Sequence, residues 1–257
     1  MYDFTFDSFG KLLDRFRSGN FLIVPFSDFY SRKWESGRCL ILRHDVDRFP
    51  FQTLRMARME AAMDIASTYF FRIVPTIFKP EIIREVAAMG HEIGYHYEDL
   101  SICNGDTKKS IDLFERNLDR LREFYPVRTI CMHGSPLSKW DNKSLWKHYN
   151  YKSFGIEADT SLDVDYNKVF YISDNGRGWN RTGVSIRDKV DTAFNIKIKD
   201  TNHLIELVKT NSLPDHIMLN AHPDTFFDFG IRWLLNFGYI ELKNSIKWMV
   251  VKTGIIK

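Results

Sequence analysis

The run ILRHDVDRFP, residues 41 to 50, follows an apolar lead-in and delivers Arg43-His44-Asp45-Val46-Asp47-Arg48. Side chains two apart on an extended chain point the same way. Asp45 and Asp47 can therefore serve one site. Three histidines end comparable apolar runs: His96 in HEIGYH, His133 in RTICMHG and His222 in HIMLNAH. Neutral imidazoles and a carboxylate suit a zinc-like ion. Such an ion lowers the pKa of water toward neutrality. A second carboxylate can take the proton, and a protonated histidine can donate to a leaving amine. The chemistry on offer is metal-assisted hydrolysis.

Each of these residues also has a structural reading. Asp45 and Asp47 could cap a helix beginning near Phe51, or pair with Arg43 and Arg48. His44 points opposite Asp45 in a strand and reads as a core or supporting histidine. His148, His203 and His216 lie in polar contexts and read as solvated. Trp140 and Trp146 have helical spacing and read as packing. Four strand ends carrying site chemistry at corresponding places favour a shared site over four coincidences.

The elements that must position these residues alternate along the chain. Strands are expected at 21–26, 39–45, 67–74, 91–96, 128–134, 168–174 and 216–222, and helices at 50–65, 79–90, 106–124, 142–151, 201–211 and 230–251. The strand runs are apolar without alternation, as in strands buried on both faces. A β-α-β-α order of this kind predicts a parallel sheet covered by helices, open or closed into a barrel. Sites in both form at the carboxyl ends of strands. No GxGxxG or GxxxxGK[ST] run anchors a nucleotide site.

At 257 residues, the expectation is one domain spanning 1–257. The net charge of +3, with no basic stripe, argues against nucleic acid. Cys39, Cys103 and Cys131 lie far apart, as expected of reduced thiols. No basic-then-apolar leader and no apolar run of membrane-spanning length is visible, so a cytoplasmic protein without a membrane span is expected.

At these motifs the chain resembles the polysaccharide deacetylase (NodB-homology) superfamily, carbohydrate esterase family 4, from about Leu40 to Phe226. RHDVD matches the motif that supplies two aspartates. The resemblance implies Asp45 as general base and Asp47 as metal ligand. Gly90-His91-Glu92-Ile93-Gly94 matches the run-up to the second motif, which implies His96 as ligand and a structural role for His91. The final motif falls on LNAHPDTF and implies His222 as general acid. SDNGRGWN is similar to the acidic-and-tryptophan motif and implies substrate contacts at Asp174 and Trp179.

Two departures stand out. The usual second histidine ligand is replaced by Leu100, and MHGSPLS lacks the family's motif arginine. His133 is the first candidate for the missing ligand, ahead of Glu98 and Asp99. His133 could instead orient Asp45. Arg187 could bind substrate, hold Asp45 in place of the missing arginine, or form an ordinary ion pair.

The implied fold is α/β, a distorted (β/α) barrel. The implied activity is metal-dependent removal of an acyl group, foremost N-acetyl, from a sugar or sugar-linked precursor. The cofactor would be a divalent metal, foremost Zn, with Co, Ni or Mn as alternatives. RHDVD, GYHYED and MHGSP are similar to a branch associated with surface-polysaccharide biosynthesis. Two alternatives are a non-catalytic carbohydrate-binding relative, which Leu100 favours, and an amidohydrolase acting on a small non-sugar amide.

Overall fold

Eight short strands form the centre: β1 Leu22–Val24, β2 Cys39–Val46, β3 Thr68–Phe71, β4 Glu92–Tyr97, β5 Thr129–Met132, β6 Ala158–Asp159, β7 Phe170–Ser173 and β8 His216–Asn220. The structure is a computed structural model that describes residues 2–32, 37–135, 138–180 and 190–253, with side chains described as far as Ser245. The sheet runs β6-β5-β4-β3-β2-β8-β7, with β1 against the first half of β2. The strand pairings are parallel. Among the described residues β6 and β7 do not pair, so the sheet curls into a distorted (β/α) barrel with a seam there.

The helices are α1 Phe6–Ser18, α2 Phe26–Arg32, α3 Pro50–Ala61, α4 Pro80–Ala88, α5 Asp99–Ile102, α6 Thr107–Arg122, α7 Thr201–Lys209 and α8 Ile231–Thr253. Their starts follow local chemistry. Proline stands at the first turn of α3 and α4, where its missing N–H costs nothing. The Asp106 carboxylate accepts from the Lys109 N–H at 3.0 Å to open α6. That helix then buries Ile111, Phe114, Leu118 and Leu121. α1 lies outside the elements read from sequence. Thr5 and Ser8 cap it reciprocally, and Phe9, Leu12, Leu13 and Phe16 bury its inner face.

The segment 142–151, expected as a helix, forms two 3-10 turns, Asn142–Lys147 and Tyr151–Phe154. Asp141 and Asn150 accept from the N–H groups two residues on, at 3.0 Å each. Such short-range bonds compete with a continuous helix.

Strand alternation sorts side chains between two environments. On β2, Cys39 and Ile41 face the barrel interior with Phe70, Cys131 and Met218. Leu40 and Leu42 face outward into the layer of α1 and α7. The same alternation sends Arg43 and Asp45 inward and His44 outward. Phe70 fills the axis so closely that a Cβ on Gly94 would lie 2.3 Å from its ring. Everything above this plug faces the carboxyl ends of the strands.

Candidate active site

Above Phe70, the inward positions of β2, β4, β7 and β8 are polar and buried. Asp45 is 4% exposed and His96 2%. The Arg43 Nη2 donates to Asp45 Oδ2 at 2.9 Å, and the Asn220 Nδ2 donates to the same oxygen at 2.9 Å. Arg43 Nη1 is tied to Thr160 Oγ1 at 2.6 Å. Burial works against ionisation of Asp45, but Arg43, then His96 and His222, outweigh it and lower its pKa. Arg43 therefore holds Asp45 from the same strand, the role for which Arg187 was one candidate. The i, i+2 spacing that aligns Asp45 with Asp47 also aligns Arg43 with Asp45, so the signal was present in the sequence. Arg187 lies outside the described residues.

Asp47, His96 and His133 come together. Asp47 Oδ1 lies 3.4 Å from His96 Nε2 and 3.6 Å from His133 Nε2. One donor atom from each of the three residues falls within 4.8 Å of the others. The Asp47 Oδ1 atom is buried and has no hydrogen-bond partner. Burial raises the Asp47 pKa, but His133 and His96 outweigh it and hold the carboxyl well below the usual range.

The far sides of both imidazoles are fixed. His96 Nδ1 faces the Cys131 carbonyl at 3.0 Å. A carbonyl only accepts, so Nδ1 carries a proton and Nε2 is directed at Asp47. His133 Nδ1 lies 2.9 Å from Glu98 Oε2, and Glu98 Oε1 receives Arg72 Nε at 2.7 Å. Despite burial, His133 and Arg72 hold Glu98 down at about 2. Such partners orient metal-binding histidines in general. Two imidazoles and a carboxylate, converging on an unpartnered carboxylate oxygen, match a catalytic zinc donor set.

The competitors for the missing ligand face elsewhere. Glu98 holds His133 from behind. Asp99 is fully buried, with both oxygens 2.8 Å from the Tyr95 hydroxyl, and burial pushes its pKa up to about 7. Leu100 is buried in the outer core.

His222 faces the group from β8. Its Nε2 lies 4.0 Å from Asp45 Oδ2, and its Nδ1 lies 2.5 Å from Asp174 Oδ1. Asp174 also accepts from the His222 backbone N–H at 3.0 Å. Burial disfavours the imidazolium, yet Asp174, then Asp47 and Asp45, raise the pKa to about 10.

Two expectations change here. Asp174, 1% exposed, holds His222 and is not placed as a substrate contact. Trp179 is 3% exposed and packs against Phe4 at a 5.3 Å centroid distance, its Nε1–H donating to Thr201 at 2.9 Å. Its ring belongs to the core and walls no groove. The turn after Asp174, with Arg177 and Asn180 at positive φ, sends the chain back under the sheet edge.

No protein-family model and no curated protein matches the chain. Among solved structures it is similar to a CE4 esterase of Streptococcus mutans, at 13% identity and a TM-score of 0.47, over 92% of this chain and 90% of that one. It is similar to the peptidoglycan deacetylase PdaC of Bacillus subtilis, at 12% identity and 0.41, over 84% and 98%. A third is a mutant CE4 family pseudoenzyme with restored enzymatic activity, at 9% identity and 0.44, over 83% of this chain but only 65% of that one. The first and third are described as CE4 proteins, the family that the sequence motifs resemble.

Proposed function

We propose that the protein is a metal-dependent hydrolase that removes an acyl group, foremost N-acetyl, from a sugar or sugar-linked precursor. The observation that carries this reading is the meeting of Asp47, His96 and His133 donor atoms within 4.8 Å, beside Asp45. A divalent cation held by those three residues would supply a Lewis acid for the acyl carbonyl and acidify water. Asp45, held by Arg43 and Asn220, accepts a proton from the attacking water. His222 carries a proton at Nε2 and gives it to the sugar nitrogen as the C–N bond breaks. Asp174 keeps the His222 ring in place through Nδ1. The products are a free carboxylate and an amino sugar. The free cysteines Cys39, Cys103 and Cys131 fit work in a reducing cytoplasm.

The test is acetate release from N-acetylglucosamine oligomers by purified protein loaded with Zn, Co, Ni or Mn. Turnover that requires one of these metals supports the proposal. Oligosaccharide binding without turnover under all four would replace it with the non-catalytic carbohydrate-binding reading.

A further inference from the structure

Thirteen large apolar side chains are exposed among the described residues, and nine of them fall in two segments, 49–51 and 229–242. The segments meet. The Arg48 guanidinium lies 4.9 Å from the Phe49 ring and 4.7 Å from the Tyr239 ring. The result is one apolar face, too large to be the scattered exposure normal on a soluble surface.

The helix α8 reverses the ordinary arrangement of a surface helix. Its inner side buries Asn236, Ile240 and Asn244. Asn236 donates to the Asp224 carbonyl at 3.3 Å and Asn244 to the Gly176 carbonyl at 3.0 Å. Hydrogen bonds thus help attach the helix while several of its apolar residues point out: Ile231 is 77% exposed, Leu235 69% and Leu242 63%. These follow a spacing of four and seven, so they share one stripe.

The face adjoins the mouth of the site. Phe49 stands two residues beyond Asp47, and its backbone holds φ at 51° with the ring 46% exposed. Positive φ is uncommon for a bulky side chain. On the other side, Asp224 stands two residues beyond His222 and pairs with Arg48 at 2.9 Å.

Charge selects the occupant. In sequence, residues 231–257 contain five basic residues and one acidic, a net +4, against −1 for the first 230 residues; of these, Arg232, Glu241 and Lys243 belong to the part of α8 whose side chains are described. A second copy would set +4 against +4. An anionic lipid surface would attract the segment, by about 1 kcal/mol per basic residue near the headgroups. No described helix is long and apolar enough to cross a membrane, so α8 would lie along the surface, as interfacial amphipathic helices do.

We propose that α8, with Phe49 and Phe51, is an in-plane docking surface for an anionic bilayer and holds the barrel mouth beside the lipid headgroups. The docking rests on exposure and charge alone. Combined with the proposed hydrolase, it gives access to a sugar carried on a lipid.

The test is flotation of the full chain with vesicles of phosphatidylglycerol and phosphatidylcholine, against phosphatidylcholine alone, at low and high salt. Wild type should float with the anionic vesicles and less so at high salt. Leu235→Glu with Leu242→Glu should lower binding by at least about tenfold, with an unchanged thermal melt, since both side chains are exposed. Absence of flotation at low salt, or equal flotation of the double variant, would overturn the proposal. So would a wild-type dimer in sedimentation that the double variant abolishes, which would give the face to a second copy. Because no metal or turnover enters the measurement, its failure is separate from failure of the hydrolase reading.

Discussion

His44 and Asp45 are neighbours in sequence but belong to opposite faces of β2, and each sits in a buried cluster of carboxylates and histidines. On the outer face, Glu60 lies 2.7 Å from His44 Nε2 and accepts from Ser67 at 2.7 Å and Tyr69 at 2.8 Å. His44 Nδ1 meets the Ala221 carbonyl at 2.8 Å, and His91 Nε2 meets that of Ala57 at 3.0 Å. The carboxylate oxygens and ring nitrogens are satisfied, with Glu60, His44 and His91 side chains fully buried. On the inner face, Asp47 Oδ1 makes no hydrogen bond, with His96 Nε2 and His133 Nε2 standing 3.4 and 3.6 Å away, and the Nε2 atoms of His96, His133 and His222 face a common space. Residue types are the same in both. What separates a site from a core cluster is donor capacity left unused and directed at one point.

The largest expected effect falls on turnover. Asp45→Asn keeps the shape and the Asn220 contact but removes the proposed proton acceptor. Acetate release should fall by about 10²–10⁴-fold, the usual contribution of a general base. Bound metal, measured by elemental analysis, should remain, because Asp47, His96 and His133 are untouched. A near wild-type rate would place the base elsewhere.

Next comes stability, where the two clusters should behave oppositely. Glu60→Ala removes the acceptor shared by His44, Ser67 and Tyr69 in a fully buried cluster, which costs about 1–3 kcal/mol for each donor left unsatisfied. Urea unfolding should show that loss while zinc affinity stays unchanged. Asp47→Ala should abolish zinc binding and cost the metal-free protein less stability than Glu60→Ala, because it removes only the pairing with His96 and His133 at a partly exposed carboxylate. If Glu60→Ala weakened zinc and spared stability, the division between the faces would collapse.

The order and type of the strands were legible because buried parallel strands leave uninterrupted apolar runs, and polar groups at their ends stand out against them. The candidate site was legible to the same extent: Asp45, Asp47, His96, His133 and His222 all follow such runs. Arg43 was harder to read because an arginine near two aspartates looks like a surface ion pair until its burial is known. Asp174 was read as a substrate contact, since sequence does not tell which partner a carboxylate faces. Trp179 was misplaced for a related reason. Its ring packs on Phe4 and its Nε1–H donates to Thr201, partners far away in sequence that the local motif does not reveal. The two-residue β6 is too short for any periodic signal. α1 carries one, with apolar residues three and four apart after a Thr-x-x-Ser cap.

A smaller effect tests how the unused capacity is aimed. Glu98 fixes His133 Nδ1 and, on the structure, offers nothing to the ion itself. Glu98→Gln retains the shape but loses the charge, and zinc affinity should drop about 10–100-fold, as for other groups that orient metal-binding histidines. His133→Gln should cost more. Equal losses in the two variants would make Glu98 a ligand, returning it to the role that ranked second from sequence.

The smallest expected effect separates the clusters by the sign of their pH response. Burial lowers the folded-state pKa of His91, against the opposing pull of Glu60. The unfolded chain therefore takes up a proton near the ordinary value of about 6.5 while the folded protein resists it. Its contribution to stability is present above that value and is lost as pH falls. His222 is displaced the other way: burial disfavours its charge, but Asp174 and the site aspartates raise it to about 10. Its contribution is complete below about 6.5 and is lost as pH rises through about 10. For one proton, either slope is at most about 1.4 kcal/mol per pH unit. Urea unfolding of metal-free protein across the pH range should show His91→Gln flattening the acid limb and leaving the alkaline limb. His222→Gln should do the converse. If both variants changed the same limb, the two clusters would share one electrostatic environment, and the contrast between a satisfied core and an unsatisfied site would not hold.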